Sequence, residues 1–216
     1  MKTKLKLKIL ISGLFVIVYF AGFGQYSTIK IGSQTWMTEN LNVNKFRNGD
    51  RIKEAKTNRK WRRLGRKGKP AWCFYENKTL NGTRYGKLYN WYAVNDPRGL
   101  VPCGWHVPSD VEWTELTEFL GGEDIAGEKM KSVKGWKEYI NNFSNGTNSS
   151  GFKGLPGGYR FSNGIFFYIS SFGYWWSSTE DNENNAFYRD QSYNKSNVGK
   201  DTNDKMDGLS VRCIKD

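Results

Sequence analysis

Residues 103–122, CGWHVPSDVEWTELTEFLGG, carry the clearest helix signal in the chain. Ser109 and Glu112 have capping-box spacing, and Pro108 stops the helix from extending backwards. Trp113, Leu116 and Leu120 recur at i, i+3 and i+7, which buries one face, and Gly121-Gly122 ends the run. Downstream, 125–133 predicts a second short helix with Ile125, Met130 and Val133 as its apolar residues. The Asn, Ser and Gly of 141–151 predict a loop.

Outward from these helices the signals change to strands. Residues 28–37 (TIKIGSQTWM) alternate around Gly32 and predict an opening hairpin, with Ile29, Ile31, Trp36 and Met37 partly buried. Residues 158–168 predict a second hairpin turning on Asn163-Gly164. Residues 173–178, 186–193 and 208–214 predict three further strands, separated by polar loops at 179–185 and 194–207. The expected class is α+β, with one or two helices packed on small antiparallel sheets and long loops.

The first residues have a different logic. Lys2, Lys4, Lys6 and Lys8 precede the 12-residue apolar run ILISGLFVIVYF (9–20), and Gly22 and Gly24 supply small −3 and −1 side chains. This order predicts a signal peptide over 1–24, with one domain over 25–216. The apolar run is shorter than the roughly 20 residues a bilayer span needs, so no transmembrane segment is expected in the mature chain. No Cys lies near the cleavage site, so the bacterial lipoprotein pattern is not met. The expected location is exported: periplasmic, cell-surface or secreted.

The formal net charge is +12, and its distribution decides what it means. Residues 51–69 (RIKEAKTNRKWRRLGRKGK) hold ten Lys/Arg against the single acid Glu54. Without this stripe and the signal peptide, the chain is close to neutral. Arg59, Lys60, Arg62, Arg63, Arg66 and Lys67 could meet an anionic surface such as lipid headgroups or acidic glycan, or form a solvated face. Export argues against a nucleic-acid partner. Trp61 and Leu64 within the stripe predict a short amphipathic turn.

Three cysteines remain: Cys73, Cys103 and Cys213. In an oxidising compartment a disulfide is expected from one pair, taken as Cys103–Cys213. The single histidine, His106, reads as an imidazole bonded to backbone. Cys73 lies among Trp72, Phe74 and Tyr75 and reads as an inert thiol rather than a nucleophile paired with His106. Glu112, Glu115 and Glu118 read as helix-face charges rather than a glycosidase pair. No cofactor is expected. A calcium site at Glu180, Asp181, Asn182 and Glu183 is the weaker alternative, because their oxygens suit a hard cation.

Several strings are more specific than composition explains: KIGSQTWMTENLN (30–42), PAWCFYEN (70–77), YGKLYNWYAV (85–94), CGWHVPSDVEWTEL (103–116), GFKGLPGGYR (151–160), GYWWSSTE (173–180) and GLSVRCIKD (208–216). In this order they resemble the Fibrobacter succinogenes major paralogous domain (FISUMP), over about residues 28–216. The resemblance implies an exported or surface protein of Bacteroidetes-like bacteria. It also implies a fold similar to C-type lectins and formylglycine-generating enzymes, without a settled activity. One histidine cannot build the iron site of the sulfoxide-synthase relatives. The reactive Cys pair of the formylglycine-generating relatives also has no counterpart near Cys213.

The aromatic residues are the stronger lead. Trp175 and Trp176 alternate along one strand, so one is expected to face the core and the other the opposite surface. With Tyr159, Tyr168, Tyr188, Asn182, Asn184 and Arg189 they are expected to form an aromatic floor edged by amides. Such a surface suits a glycan or another surface molecule. In some lectin-like relatives this C-terminal surface is diversified for ligand binding. The expected function is a non-enzymatic binding module. The alternatives are an envelope scaffold docking through the basic stripe and a degenerate relative of the formylglycine-generating enzymes.

Overall fold

The computed structural model describes residues 26–138 and 145–216. The signal peptide predicted at 1–24 and part of the loop predicted at 141–151 lie outside the described residues.

The chain opens with the antiparallel hairpin β1 (Thr28–Ile31) and β2 (Gln34–Met37), with Gly32 at φ +61° in its turn. Next come β3 (Lys53–Glu54) and α1 (Asn58–Gly65), which begins where Thr57 accepts a bond from the Lys60 N–H. After β4 (Ala71–Cys73), a 3-10 turn at Tyr75–Asn77 leads to α2 (Thr79–Tyr85), β5 (Leu88–Tyr89) and α3 (Trp91–Val94). The short strand β6 (Trp105–His106) precedes α4 (Asp110–Phe119), whose Ser109–Glu112 capping box forms in full. Helix α5 (Glu123–Met130) follows, shifted toward the N-terminus from its expected span. It buries Ala126, Gly127 and Met130, while Ile125 and Val133 are exposed.

The C-terminal third is mostly sheet: β7 (Gly157–Arg160), β8 (Phe166–Ile169), β9 (Phe172–Glu180), β10 (Asn185–Ser192), β11 (Val198–Asp204) and β12 (Ile214–Lys215). The strands form three sheets, ordered β1-β2-β12-β6, β11-β10-β9-β7-β8 and β3-β4-β5. The class is α+β as expected, with two corrections. The described residues contain five helices rather than one or two. Two of the three sheets are mixed, since β3 runs parallel to β4 and β7 parallel to β9, while the β1-β2-β12-β6 sheet is antiparallel throughout.

Two segments exchange their expected roles. Strand β11 falls in a predicted loop because its edge position lets polar residues such as Lys200 and Asp201 face water. Residues 208–214, predicted as a strand, pair only through isolated bridges at Gly208, Leu209 and Ser210 before β12, yet all seven are buried. Their role is to thread the core.

Three apolar clusters make that core. One joins Trp72, Tyr89, Trp91, Trp176 and Val211; another joins Trp36, Trp113, Phe152, Trp175 and Met130; the third joins Trp61, Cys73, Tyr75 and Leu88. Strand β9 separates the first two: Trp176 enters one and Trp175 the other.

All three cysteines are free, which corrects the expected Cys103–Cys213 bond. The register Ile214↔His106 and Lys215↔Trp105, continued by one residue, puts Cys213 opposite Val107. Cys103 lies beyond the end of this ladder, in the turn before β6. Cys213 is also buried in the core while Cys103 sits exposed before Gly104.

Candidate binding surface

The predicted site residues divide into three groups. Trp175 and Trp176 are 1% and 0% exposed, so neither offers a ring to a ligand. Their indole N–H groups are used internally: Trp175 donates to Asn40 Oδ1 and Trp176 to the Tyr89 carbonyl, both at 2.8 Å. The expectation that one Trp faces outward fails because β9 has apolar clusters on both sides. Arg189 is likewise buried, and it joins β10 to the first turn of α4 through Asp110 (2.5 Å) and Thr114 (3.1 Å).

The second group stays at the surface. Tyr159, Tyr168 and Tyr188 belong to a continuous strip of rings across β7, β8, β9 and β10. Tyr188 meets Tyr174 at 5.8 Å, and Tyr174 meets both Tyr159 at 5.1 Å and Phe172 at 5.6 Å. Tyr168 lies 6.0 Å from Tyr159 and 5.2 Å from Phe172, and Phe167 connects Tyr159 to Phe161 at 5.8 and 6.4 Å. All of these rings are half-buried or exposed, and Tyr168 is 52% exposed. The spacing Phe172, Tyr174, Trp176 is the period-2 signal that identifies this face; it runs from exposed rim to buried core along one strand.

Backbone geometry at the rim is unusual. Tyr168 has φ +65° and Ser170 φ +62°, conformations that cost side-chain-bearing residues energy. The Ser170 N–H donates to the Pro156 carbonyl at 2.9 Å and the Ser171 N–H to the Tyr168 carbonyl at 3.0 Å, which holds the turn. Beneath it Gly158, at φ +62°, has no room for a side chain: a Cβ there would lie 2.4 Å from the Phe167 carbonyl oxygen.

Carboxyls edge the strip. Asp190 pairs across the ladder with Tyr174, and burial, with Asp201 adding to it, pushes its carboxyl up to about 6 despite Lys195. Asp207 is buried, and burial reinforced by Asp204 pushes it to about 8. The Ser162 N–H and the Asn203 amide temper that rise, but neither reaches hydrogen-bonding geometry with it. Burial, followed by nearby Asp190, raises the Tyr174 and Tyr188 phenols, so both hydroxyls remain neutral donors. The strip thus offers ring faces, phenol O–H donors and the Asp190 carboxyl on one side of a sheet, with Asp207 buried beneath. Sequence reading missed Asp190 and Asp207 because burial, not residue pattern, makes them unusual.

The third group is separated from the strip. Asn182 and Asn184 lie exposed in the β9–β10 turn, where Asn182 Oδ1 accepts the Asn184 and Asn185 N–H groups at 2.9 Å. Asn184 is four strand positions from Tyr188, about 13 Å away, so the amides do not edge the rings. In the same turn Glu180 and the Asn182 and Glu183 carbonyls converge on the buried ammonium of Lys205. Of the four side chains in the calcium reading, Glu180 is thus engaged by Lys205, while Asn182 and Glu183 meet it through their backbone carbonyls.

His106 is not bonded to backbone through its ring. Its Nε2 lies 2.7 Å from Glu112 and its Nδ1 2.7 Å from Asp216. Cys73 is buried in the third cluster and burial pushes its thiol up to about 12, so it stays protonated at neutral pH. Outside the strip, a groove of about 630 Å³ runs between the β1–β2 turn and α4, lined by Ser33, Gln34, Glu115, Glu118 and Phe119.

The strings that carry the family resemblance converge in this architecture. Asn40, Trp175 and Arg212, from three of them, meet at one oxygen, Asn40 Oδ1. A family model described as the Fibrobacter succinogenes major domain matches residues 29–215. The chain belongs to this family. No curated protein and no solved structure matches it. Most of the family-like strings in this chain supply core residues: Trp36, Trp72, Tyr89, Trp113, Trp176 and Val211 are all buried. The family membership therefore describes how this chain folds. The exposed ring strip lies largely between those strings, at Phe161, Phe167, Tyr168 and Tyr188. Among the described residues no helix is long and apolar enough to cross a membrane.

Proposed function

We propose that this chain is an exported, non-enzymatic binding module that recognises a glycan or another surface molecule. The ring strip on the outer face of β7–β10 carries this reading. Its seven rings, Tyr159, Phe161, Phe167, Tyr168, Phe172, Tyr174 and Tyr188, are in mutual contact without being closed over. Ring faces stack on sugar C–H groups, while neutral phenols and the Asp190 carboxyl satisfy hydroxyls. A C-type-lectin-like arrangement is in keeping with α4 and α5 packing on β9–β11, and export with the signal pattern at 1–24.

The test is a glycan array probed with the mature chain, followed by calorimetric titration of each hit. The reading expects a saturable hit that Tyr168→Ala weakens by about fivefold, since one lost stacking contact is worth about 1 kcal/mol. Binding unaffected by Tyr168→Ala and Tyr188→Ala would place the ligand elsewhere.

A further inference from the structure

Two regions about a hundred residues apart in sequence are fastened together. Arg160, at the end of β7, is fully buried. Its Nη2 donates to Asn58 Oδ1, in the first turn of α1, at 3.1 Å, and its Nη1 donates to the Ala55 carbonyl at 2.5 Å. The guanidinium also stacks on Trp61 of α1 at 4.7 Å and on Phe166 of β8 at 4.7 Å. At the hairpin tip, Gly164 rests so closely on Asn58 that a Cβ would lie 2.7 Å from the Asn58 Cα. The β7–β8 hairpin is therefore fixed against the start of α1.

The outward surfaces of these two elements are complementary in kind. Helix α1 buries Trp61, Leu64 and Gly65 and turns Arg59, Arg62 and Arg63 to solvent, with Arg66 and Lys67 just beyond. Among the described residues, none of these cations makes an ion pair, and neither does Lys60. Arg62 lies one turn from Asn58 on the same helix face, beside the hairpin tip. That tip presents Phe161 at 39% and Ile165 at 48% exposure, held together by the Phe161 N–H bond to the Ile165 carbonyl at 2.8 Å. An isoleucine has no ring to stack on a sugar. Apolar tips beside unpaired cations match a bilayer interface, where side chains enter the acyl boundary and Lys/Arg meet lipid phosphates.

We propose that α1 and the β7–β8 tip form a peripheral docking face for a bilayer containing anionic phospholipid. This face shares Phe161 with the end of the ring strip, but it rests on the α1 cations and Ile165 and does not depend on the strip's glycan reading. Charge complementarity selects the occupant, and the Phe161–Ile165 pair favours a bilayer over a soluble polyanion.

Vesicle sedimentation tests it, using the mature chain with phosphatidylcholine vesicles and with vesicles containing phosphatidylglycerol. Retention is expected only with the anionic vesicles and is expected to fall as salt rises. Arg59→Gln, Arg62→Gln, Arg63→Gln and Arg66→Gln together should weaken it by more than about tenfold, with an unchanged circular dichroism spectrum. Phe161→Ser with Ile165→Ser should weaken it severalfold while leaving the cations in place. Equal retention on both vesicle types would overturn the proposal, as would binding indifferent to the apolar pair. Retention on dextran sulfate without retention on vesicles would also overturn it, assigning the face to a soluble polyanion.

Discussion

Arg212 donates to Asn40 Oδ1 through Nε and Nη2, at 3.2 and 3.0 Å, across 172 residues of chain. Its Nη1 reaches the Met37 and Phe152 carbonyls at 2.9 and 2.7 Å, and the guanidinium lies 4.3 Å from the Phe152 ring. Neutral oxygens thus surround a fully buried cation. Asn40→Leu strands that charge, and an expected loss of about 3–5 kcal/mol follows. Arg212→Met removes the charge instead and should cost less. Urea denaturation of both variants checks the order.

The thiols should react in two classes. Cys103 is exposed, while Cys73 and Cys213 are buried with thiols pushed up to about 12 by burial. A thiol-titrating disulfide reagent should modify one cysteine in the folded protein and all three in denaturant.

Asp207 should make the protein less stable in alkali. Its carboxyl is raised to about 8, so the folded state holds a proton that the unfolded chain releases near pH 4. Between those values the native state binds more protons, and stability falls as pH rises. Asp207→Asn should flatten that slope and stabilise the protein at pH 9 by about 1–3 kcal/mol. Thermal melts from pH 5 to 9 measure it.

His106 slopes the same way over a higher window. Burial works against the imidazolium, but hydrogen bonds to Asp216 and Glu112 outweigh it and raise the pKa. The contribution is complete below the unfolded value of about 6.5 and is lost as pH rises through the higher folded value. His106→Ala should cost under about 1 kcal/mol, given the partial exposure of the cluster. The cost should be larger at pH 5.5 than at pH 9, as paired melts of the two proteins would show.

Gly158→Ala should destabilise the β7–β8 hairpin more than an ordinary surface substitution does. It combines a positive φ with a backbone contact at 2.4 Å. Hydrogen exchange at β7 and β8 should accelerate relative to α4.

What the sequence disclosed depended on locality. The Ser109–Glu112 box, the Gly32 turn and the Asn163-Gly164 turn are set by neighbouring residues, and each forms in place. Strand β11 escaped detection because an edge strand made of Gly, Lys, Asp, Thr and Asn has no apolar period. The outward Trp was misjudged for a related reason: alternation predicts opposite faces but not whether both are covered. Arg189 reads as a surface donor in isolation, and only the approach of Asp110 from α4 reveals its internal role. The ring strip was half legible, since Tyr159, Tyr168 and Tyr188 belong to it, whereas Asn182 and Asn184 do not.

The placement of Trp175 and Trp176 on opposite sides of β9 has a mechanical consequence. One strand serves as the shared wall of two apolar compartments, so neither can lose its packing without exposing the other. The two compartments should melt together in a single cooperative transition, with neither persisting as an autonomous fragment. The turn after β9 is tied to the same wall, because the Asn182 and Glu183 carbonyls hold the Lys205 ammonium over Trp91 of one compartment. The exposed side chains of Asp181 and Asn184 can therefore change while the length of that turn cannot.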